Sequence, residues 1–203
     1  MKGHKPEKID FAKTHKELYS ASSKVKEVIA DKATFLSYEG KGEPGGPVFE
    51  GGIQQLYTLA YTAKFMLKHS GKIDFGVGKM GCLWHMENPD AIPKSEWPWQ
   101  LLIRIPNQVT ESDLKKARKE VQERRQLDTS GVRRWTWKEG LCVQVMHVGP
   151  YDEVGKVYQQ LDEYARSKGL QTKCPGHEIY ISDPRRVAPA KLKTIVRLPV
   201  SKA

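Results

Sequence analysis

In the stretch His177-Glu178-Ile179-Tyr180-Ile181-Ser182-Asp183-Pro184, a carboxylate and a phenol stand two residues apart. Ile179 and Ile181 alternate with Glu178, Tyr180 and Ser182, the period of two that marks a half-buried strand. On such a strand the isoleucines face a packed core, and Glu178 and Tyr180 share the opposite face. A carboxylate can serve as a general base, and a phenol beside it can donate a hydrogen bond to a developing anion. A carboxylate among β-branched residues is costly on a dry face, so the pair is either solvated or lines a cavity. Asp183-Pro184 ends the strand.

The chain has 203 residues, 38% of them hydrophobic, which suits one large domain or two small ones. No run approaches the roughly 18 apolar residues of a membrane span. The basic start, Met1 to Pro6, is not followed by the apolar segment of a secretory signal. Cys82, Cys142 and Cys174 are odd in number and lack metal spacing, so they read as buried thiols of a reducing cytoplasm. The histidines form no HxxxH or HxH pattern, and neither metal nor cofactor is expected. The formal net charge is +10. It is spread over Lys2 to Lys32, Lys115 to Arg125, Arg133-Arg134 and Arg185-Arg186, mostly with acids interleaved. No helix-turn-helix, zinc-finger or RNP-type pattern accompanies it, so direct nucleic-acid binding is not expected.

The elements that must position the acid and phenol can be read in order. Residues 1–32 form a polar, lysine-rich arm with scattered apolar anchors. Ala33 to Glu39 is a strand, and Gly40 to Pro47 a flexible turn without phosphate-cradle spacing. Phe49 to Lys68 is a helix, with Ile53, Leu56, Tyr57, Ala60 and Tyr61 at helical spacing and Lys64 as the polar exception. Asp74 to Met86 is extended and Gly-interrupted. Trp97 to Ile105 is a strand with Trp97, Trp99, Leu101, Ile103 and Ile105 on one face. Thr110-Glu111-Ser112-Asp113 resembles a capping box, and its helix, to about Arg125, has few apolar residues and reads as a surface connector. Gln126 to Arg134 is a loop, with Trp135 and Trp137 as packing caps at its edge. Leu141 to His147 is extended. Val154, Val157, Tyr158, Leu161 and Ala165 mark a helix ending at Gly169, and Leu192 to Val200 is the last strand.

The order strand, turn, helix, strand, strand occurs twice, at about 33–106 and 135–200. The first copy opens at Tyr38-Glu39-Gly40 and closes at Ile103-Arg104-Ile105-Pro106. The second opens at His147-Val148-Gly149 and closes at Val196-Arg197-Leu198-Pro199. The longer first copy fits an enlarged loop between Met86 and Trp97. One helix cannot cover both faces of its unit. Two units side by side therefore predict an α+β fold with pseudo-two-fold symmetry and a groove on the helix-free face, into which Glu178 and Tyr180 point. A pocket at a repeat interface is a common ligand site.

Several stretches together resemble the GyrI-like small-molecule-binding family in its stand-alone form. They are Leu56 to Tyr61, Trp84, Leu101 to Pro106 with Val109-Thr110, Glu139 to Asp152, Glu178 to Arg186, and Lys191 to Thr194. The resemblance covers about residues 33–200. It implies tandem strand-helix-strand-strand modules around a groove for flat, lipophilic, often cationic aromatics. A groove glutamate below the ligand is matched by Glu178. Some stand-alone members resemble hydrolases that open the cyclopropane of duocarmycin-type alkylators, a detoxification role. His85 stands where such members often carry a bulkier or acidic residue.

Opening an electrophilic cyclopropane with water needs a flat ring held by stacking, an oriented water, and a donor for the charge that develops on the carbonyl oxygen. Glu178 would orient the water, and Tyr180, Tyr151 or His147 would donate. Trp84, Trp97 and Trp99 are stacking candidates, with Tyr57 and Tyr61 on the first helix. Ordinary roles stand beside these: core packing for Tyr57 and Tyr61, a structural hydrogen bond for His147, and an inert thiol for Cys142. Three classes remain open: a hydrolase of cyclopropane-bearing genotoxins, a module that binds or sequesters hydrophobic cations, and a protein-interaction module. Oligomeric state is not legible.

Overall fold

The lysine-rich start of the chain is woven into the sheet and is not simply an arm laid on it. The computed structural model describes residues 7–202, and the basic segment Met1 to Pro6 lies outside them. In chain order the elements are β1 (Lys8–Ile9), α1 (Phe11–Thr14), α2 (Lys16–Tyr19), β2 (Lys26–Ala30), β3 (Ala33–Lys41), α3 (Pro47–His69), β4 (Asp74–Phe75), β5 (Met80–Trp84), β6 (Pro98–Ile105), α4 (Glu111–Arg125), β7 (Arg133–Trp137), β8 (Gly140–Val148), α5 (Val154–Ser167), β9 (Leu170–Thr172), β10 (Gly176–Tyr180) and β11 (Lys193–Lys202). β1 pairs with β4, and β2 is an edge strand of the main sheet on β8.

The main sheet is antiparallel in the order β2-β8-β11-β10-β5-β6-β3-β7, with β9 added to β11. Two copies of one unit lie in it, β3-α3-β5-β6 and β8-α5-β10-β11, joined where β5 pairs with β10. Arg104 sits opposite Phe35 and Arg197 opposite Gln144. Phe35 and Gln144 stand at the same spacing from the turn glycines Gly40 and Gly149, so the strand register reproduces the sequence repeat.

Only Asp31-Lys32 separates β2 from β3, and only Lys138-Glu139 separates β7 from β8, yet each pair of strands sits at opposite ends of the sheet. Three residue steps span at most about 11 Å. The sheet must therefore curl until its ends meet, and Ala30 opposite Gly140 continues in register to Ala33 opposite Trp137. This closure turns the helix-free face into an interior. Residues from both ends of the sheet, among them Ala30, Ala33, Trp137, Ile179 and Arg197, line one small pocket of about 30 Å³, room for little more than a water.

That interior is polar and paired. Glu139 accepts from Arg197 Nη1 at 2.9 Å and meets His177 Nδ1 at 3.1 Å. Arg197 also donates to Gln144 at 2.9 Å and to the Leu18 carbonyl at 2.6 Å. Gln144 donates to the Glu17 carbonyl at 2.8 Å, and Arg104 reaches His15 Nε2 at 3.0 Å. The segment α1–α2 thus plugs the open side. Burial by itself would raise the Glu139 carboxyl, but His177 and Arg197 outweigh it and hold it at about 2.

α3 and α5 pack on the outer face. Leu56, Leu59, Ala60, Ala63 and Leu67 of α3 meet Leu36, Leu101, Ile103 and Ile105. Leu161 and Ala165 of α5 meet Val143, Val145 and Val196. α4 begins with the expected capping box, in which Thr110 and Asp113 bond reciprocally. It is more than a connector: Leu114 and Ala117 are buried in the α3 cluster. Trp135 and Trp137 lie on β7, a strand paired with β3, where the sequence suggested the edge of a loop. No helix among the described residues is long and apolar enough to cross a membrane.

Candidate functional site

α3 and α5 leave a gap over the seam where β5 pairs with β10, and Glu178 stands in it. On the sheet Glu178 is opposite Cys82 and Val196, both of which belong to the helix-covered face. The groove is therefore on the helix-bearing side, not on the helix-free side expected from the repeat. The physical reason is ring closure, because the helix-free face has become the filled interior. Ile179 faces that interior and is buried there.

Glu178 is 8% exposed. Tyr158 of α5 donates to its Oε1 at 3.2 Å, and Tyr180 donates to its Oε2 at 3.2 Å. Gly176 makes room for the Tyr158 ring, since a Cβ there would come within 2.6 Å of it. Burial pushes the Glu178 carboxyl up to about 7, against the hydrogen bonds from Tyr180 and Tyr158 and the nearby Trp84 indole, which pull it down. The Trp84 indole lies close enough to this carboxyl to lower it, though its geometry falls short of a hydrogen bond. Burial and then the facing carboxylate push both phenols well above their ordinary value, so they remain donors. Cys82, beneath, is raised for the same two reasons and is an inert thiol.

Aromatic rings form the walls. Trp84 lies parallel to Phe49 at 6.2 Å and meets Trp97 edge-on at 5.8 Å. Tyr57 stacks on Tyr61 at 6.2 Å, and Tyr151 meets Tyr180 edge-on at 5.5 Å. The enlarged loop before β6 wraps Trp97, whose N–H is shared between the Pro89 and Ile92 carbonyls at 3.2 Å each. The groove is open, with a volume of about 2040 Å³, more than the roughly 300–1,000 Å³ of a small-molecule pocket. A ligand would fill part of it.

The groove brings together seven of the nine residues singled out in the sequence: Glu178, Tyr180, Trp84, Trp97, Tyr57, Tyr61 and Tyr151. Trp99 and His147 are not among its lining residues. Trp99 is 1% exposed and packs under Gly40, donating to the Gly42 carbonyl at 3.0 Å. His147 is buried, with Nε2 on the Pro150 carbonyl at 2.9 Å, so it holds the turn into α5. His85 bonds Gln100 at 3.2 Å and also lies off the groove lining. Cys174 is exposed on the groove wall, contrary to the expected buried thiol. Tyr158 was absent from the sequence-based candidates. Its signal was present, because a tyrosine in an apolar helical stripe needs a partner for its hydroxyl.

The model of the GyrI-like small molecule binding domain matches residues 24–201, β2 included. The chain belongs to the GyrI-like family. This GyrI-like chain is similar to the crystal structure of an uncharacterized conserved protein from Listeria innocua, at 35% identity and a TM-score of 0.90, covering 95% of this chain and 100% of that one. It is similar to a hydrolase from Listeria innocua, also at 35% identity, with a TM-score of 0.87 over 96% of this chain and 100% of that one. The C-terminal domain of EcmrR shares the fold at 16% identity, with a TM-score of 0.55 over 89% and 97% of the two chains. No functionally curated protein matches the sequence.

Proposed function

We propose that this GyrI-like chain hydrolyses flat, lipophilic electrophiles bound in the groove, with the cyclopropane of duocarmycin-type genotoxins as substrate and detoxification as the outcome. The observation that carries this reading is Glu178, a buried carboxyl poised at about 7 on an aromatic-walled groove. A base is most useful with its pKa near the working pH. The similarity to a Listeria innocua hydrolase over nearly the whole chain adds support.

The flat ring stacks among Trp84, Trp97 and Tyr57. Glu178 in its ionised form takes a proton from water as the oxygen attacks the cyclopropane methylene. The strained carbon–carbon bond breaks, and its electron pair moves through the conjugated ring to the carbonyl oxygen. The proton on Glu178 then passes to that phenolate, which regenerates the base. Tyr158 and Tyr180 hold the carboxylate in place and keep it from becoming a permanently neutral acid. Incubation with a cyclopropane-bearing alkylator, followed by mass spectrometry, should show the mass gain of one water with wild type and little with Glu178→Gln.

Binding without chemistry is the second reading, and one observation favours it. Eight carboxylate residues but five cationic ones line the groove, in a chain of net charge +10. That tilt suits a lipophilic cation. Tight binding of such a dye, with no turnover of any cyclopropane substrate, would select this reading.

A further inference from the structure

We propose that the Tyr151 hydroxyl is a catalytic donor, which hydrogen-bonds the substrate carbonyl oxygen as negative charge gathers there during ring opening. The proposal rests on the reading that the groove opens cyclopropanes with Glu178 as base, and it supplies the second group that this chemistry needs.

Three phenols stand around Glu178. Tyr158 and Tyr180 both donate to its carboxyl at 3.2 Å, so neither has a proton left for a substrate. Tyr151 is placed differently. Its ring meets Tyr180 edge-on at 5.5 Å, it lines the groove, and it is 40% exposed. Among the described residues no group bonds its hydroxyl, while burial and then the Glu178 and Asp183 carboxylates raise it. The phenol therefore stays protonated at neutral pH, and its proton is free for a ligand. Nearby cations are engaged elsewhere. Lys79 Nζ donates to the Ile181 carbonyl at 2.8 Å, and Arg185 grips both Asp183 oxygens at 3.0 Å. The backbone that carries Tyr151 is held on both sides of the turn. Gly149, at φ 151°, donates to the Leu192 carbonyl at 3.0 Å, and His147 Nε2 meets the Pro150 carbonyl at 2.9 Å. A donor in place before the reaction is a preorganised one.

The separation of the two groups suits the chemistry. In a spirocyclic cyclopropane conjugated to a carbonyl, the carbonyl oxygen lies across the ring from the methylene that water attacks. Base and donor must therefore stand apart. Tyr180 bridges them here, bonded to Glu178 through its hydroxyl and touching Tyr151 through its ring. As the carbon–carbon bond breaks, its electron pair reaches the carbonyl oxygen. The Tyr151 O–H donates to that oxygen and keeps its own proton, while the proton that Glu178 takes from water completes the product phenol.

The test measures hydrolysis of spirocyclopropyl cyclohexadienones whose ring substituents make the product phenol more or less basic. It uses wild type, Tyr151→Phe, and a variant with O-methyltyrosine at position 151, which keeps the oxygen without its proton. Thermal melts check folding, and the second variant serves should the first fold poorly. The expected result is that kcat falls roughly 10²-fold in both variants with KM nearly unchanged, because the bond strengthens in the transition state. The loss should be larger for substrates that give the more basic phenolate. Unchanged kcat would mean that the hydroxyl is idle. An equal loss across the series, or a loss confined to KM, would mean that Tyr151 only packs against the ligand. Either result overturns the proposal and leaves hydrolysis by Glu178 intact. Failure of wild type to add water to any of these substrates would overturn both.

Discussion

Burial holds the Glu178 carboxyl near neutrality, and that has consequences for stability as well as for the proposed rate. Its folded-state value of about 7 lies above the ordinary 4.5, so the folded protein keeps a proton that the unfolded chain gives up. Stability therefore falls as pH rises from about 4.5 to about 7 and stays reduced above that, by up to about 3 kcal/mol. Glu178→Gln removes the titration. The variant should be more stable than wild type at pH 8 and lose that advantage at pH 4.5, as read from urea unfolding at the two values. If the advantage does not depend on pH, the carboxyl is not held near 7. On the proposed hydrolysis, the same proton would set the rate, which should decline below about pH 7. Tyr158→Phe or Tyr180→Phe removes a donor to the ionised form, so the acid limb of the rate profile should move to higher pH in either variant. An unmoved limb would separate the phenols from the base. Glu178 was legible because strand alternation exposes a polar residue among isoleucines. Tyr158 was passed over, because at helical spacing beside Val154, Leu161 and Ala165 a tyrosine reads as core, and the hydroxyl's need for a partner does not say which group supplies it.

At the level of elements, helix limits came through well, since capping residues and apolar spacing act locally. α3 covers Pro47–His69 where the spacing indicated Phe49 to Lys68. α4 shows what local reading misses: Leu114, Ala117 and Val121 are few, but they fall on one stripe, and that stripe is buried. Lys72 adds an ion pair to Asp113 at 2.5 Å. Thr110→Ala opens the capping box and should cost about 1 kcal/mol, seen as a lower thermal midpoint with the groove's dye affinity unchanged. A loss of dye binding at constant stability would mean that α4 acts on the groove directly. Trp135 and Trp137 were misread for a different reason. Their partner strand, β3, lies far away in sequence, and pairing of that kind leaves no local mark.

At the scale of the whole molecule, the repeat was legible and the side of the sheet that carries the groove was not. Two similar units predict a symmetric sheet, but whether it lies open or closes depends on linkers of two residues, whose reach matters only once the strand order is known. Closure explains the charged interior as well. Glu139 sits at about 2, below its ordinary value, so it contributes stability above about pH 4.5 that is lost as pH falls toward 2. Glu139→Gln leaves Arg197, whose side chain is 3% exposed, short of its countercharge, and should cost about 3–5 kcal/mol at neutral pH. Chemical denaturation measures this, and a cost below about 1 kcal/mol would show that the interior tolerates the unpaired cation.

The edge strands carry one more consequence. β2 precedes the first unit in sequence but completes the second, on β8. β7 precedes the second unit but completes the first, on β3. Each half therefore carries a strand belonging to the other, as in a handshake within one polypeptide. A cut in the turn near Gly131 would give two fragments that each lack a border strand and expose one meant for elsewhere. Expressed separately they should aggregate, and expressed together they should co-elute as one folded species. Two identical halves, produced alone, could satisfy their edges only by trading strands between molecules, so the covalent join between unlike halves is what keeps the exchange within a single chain.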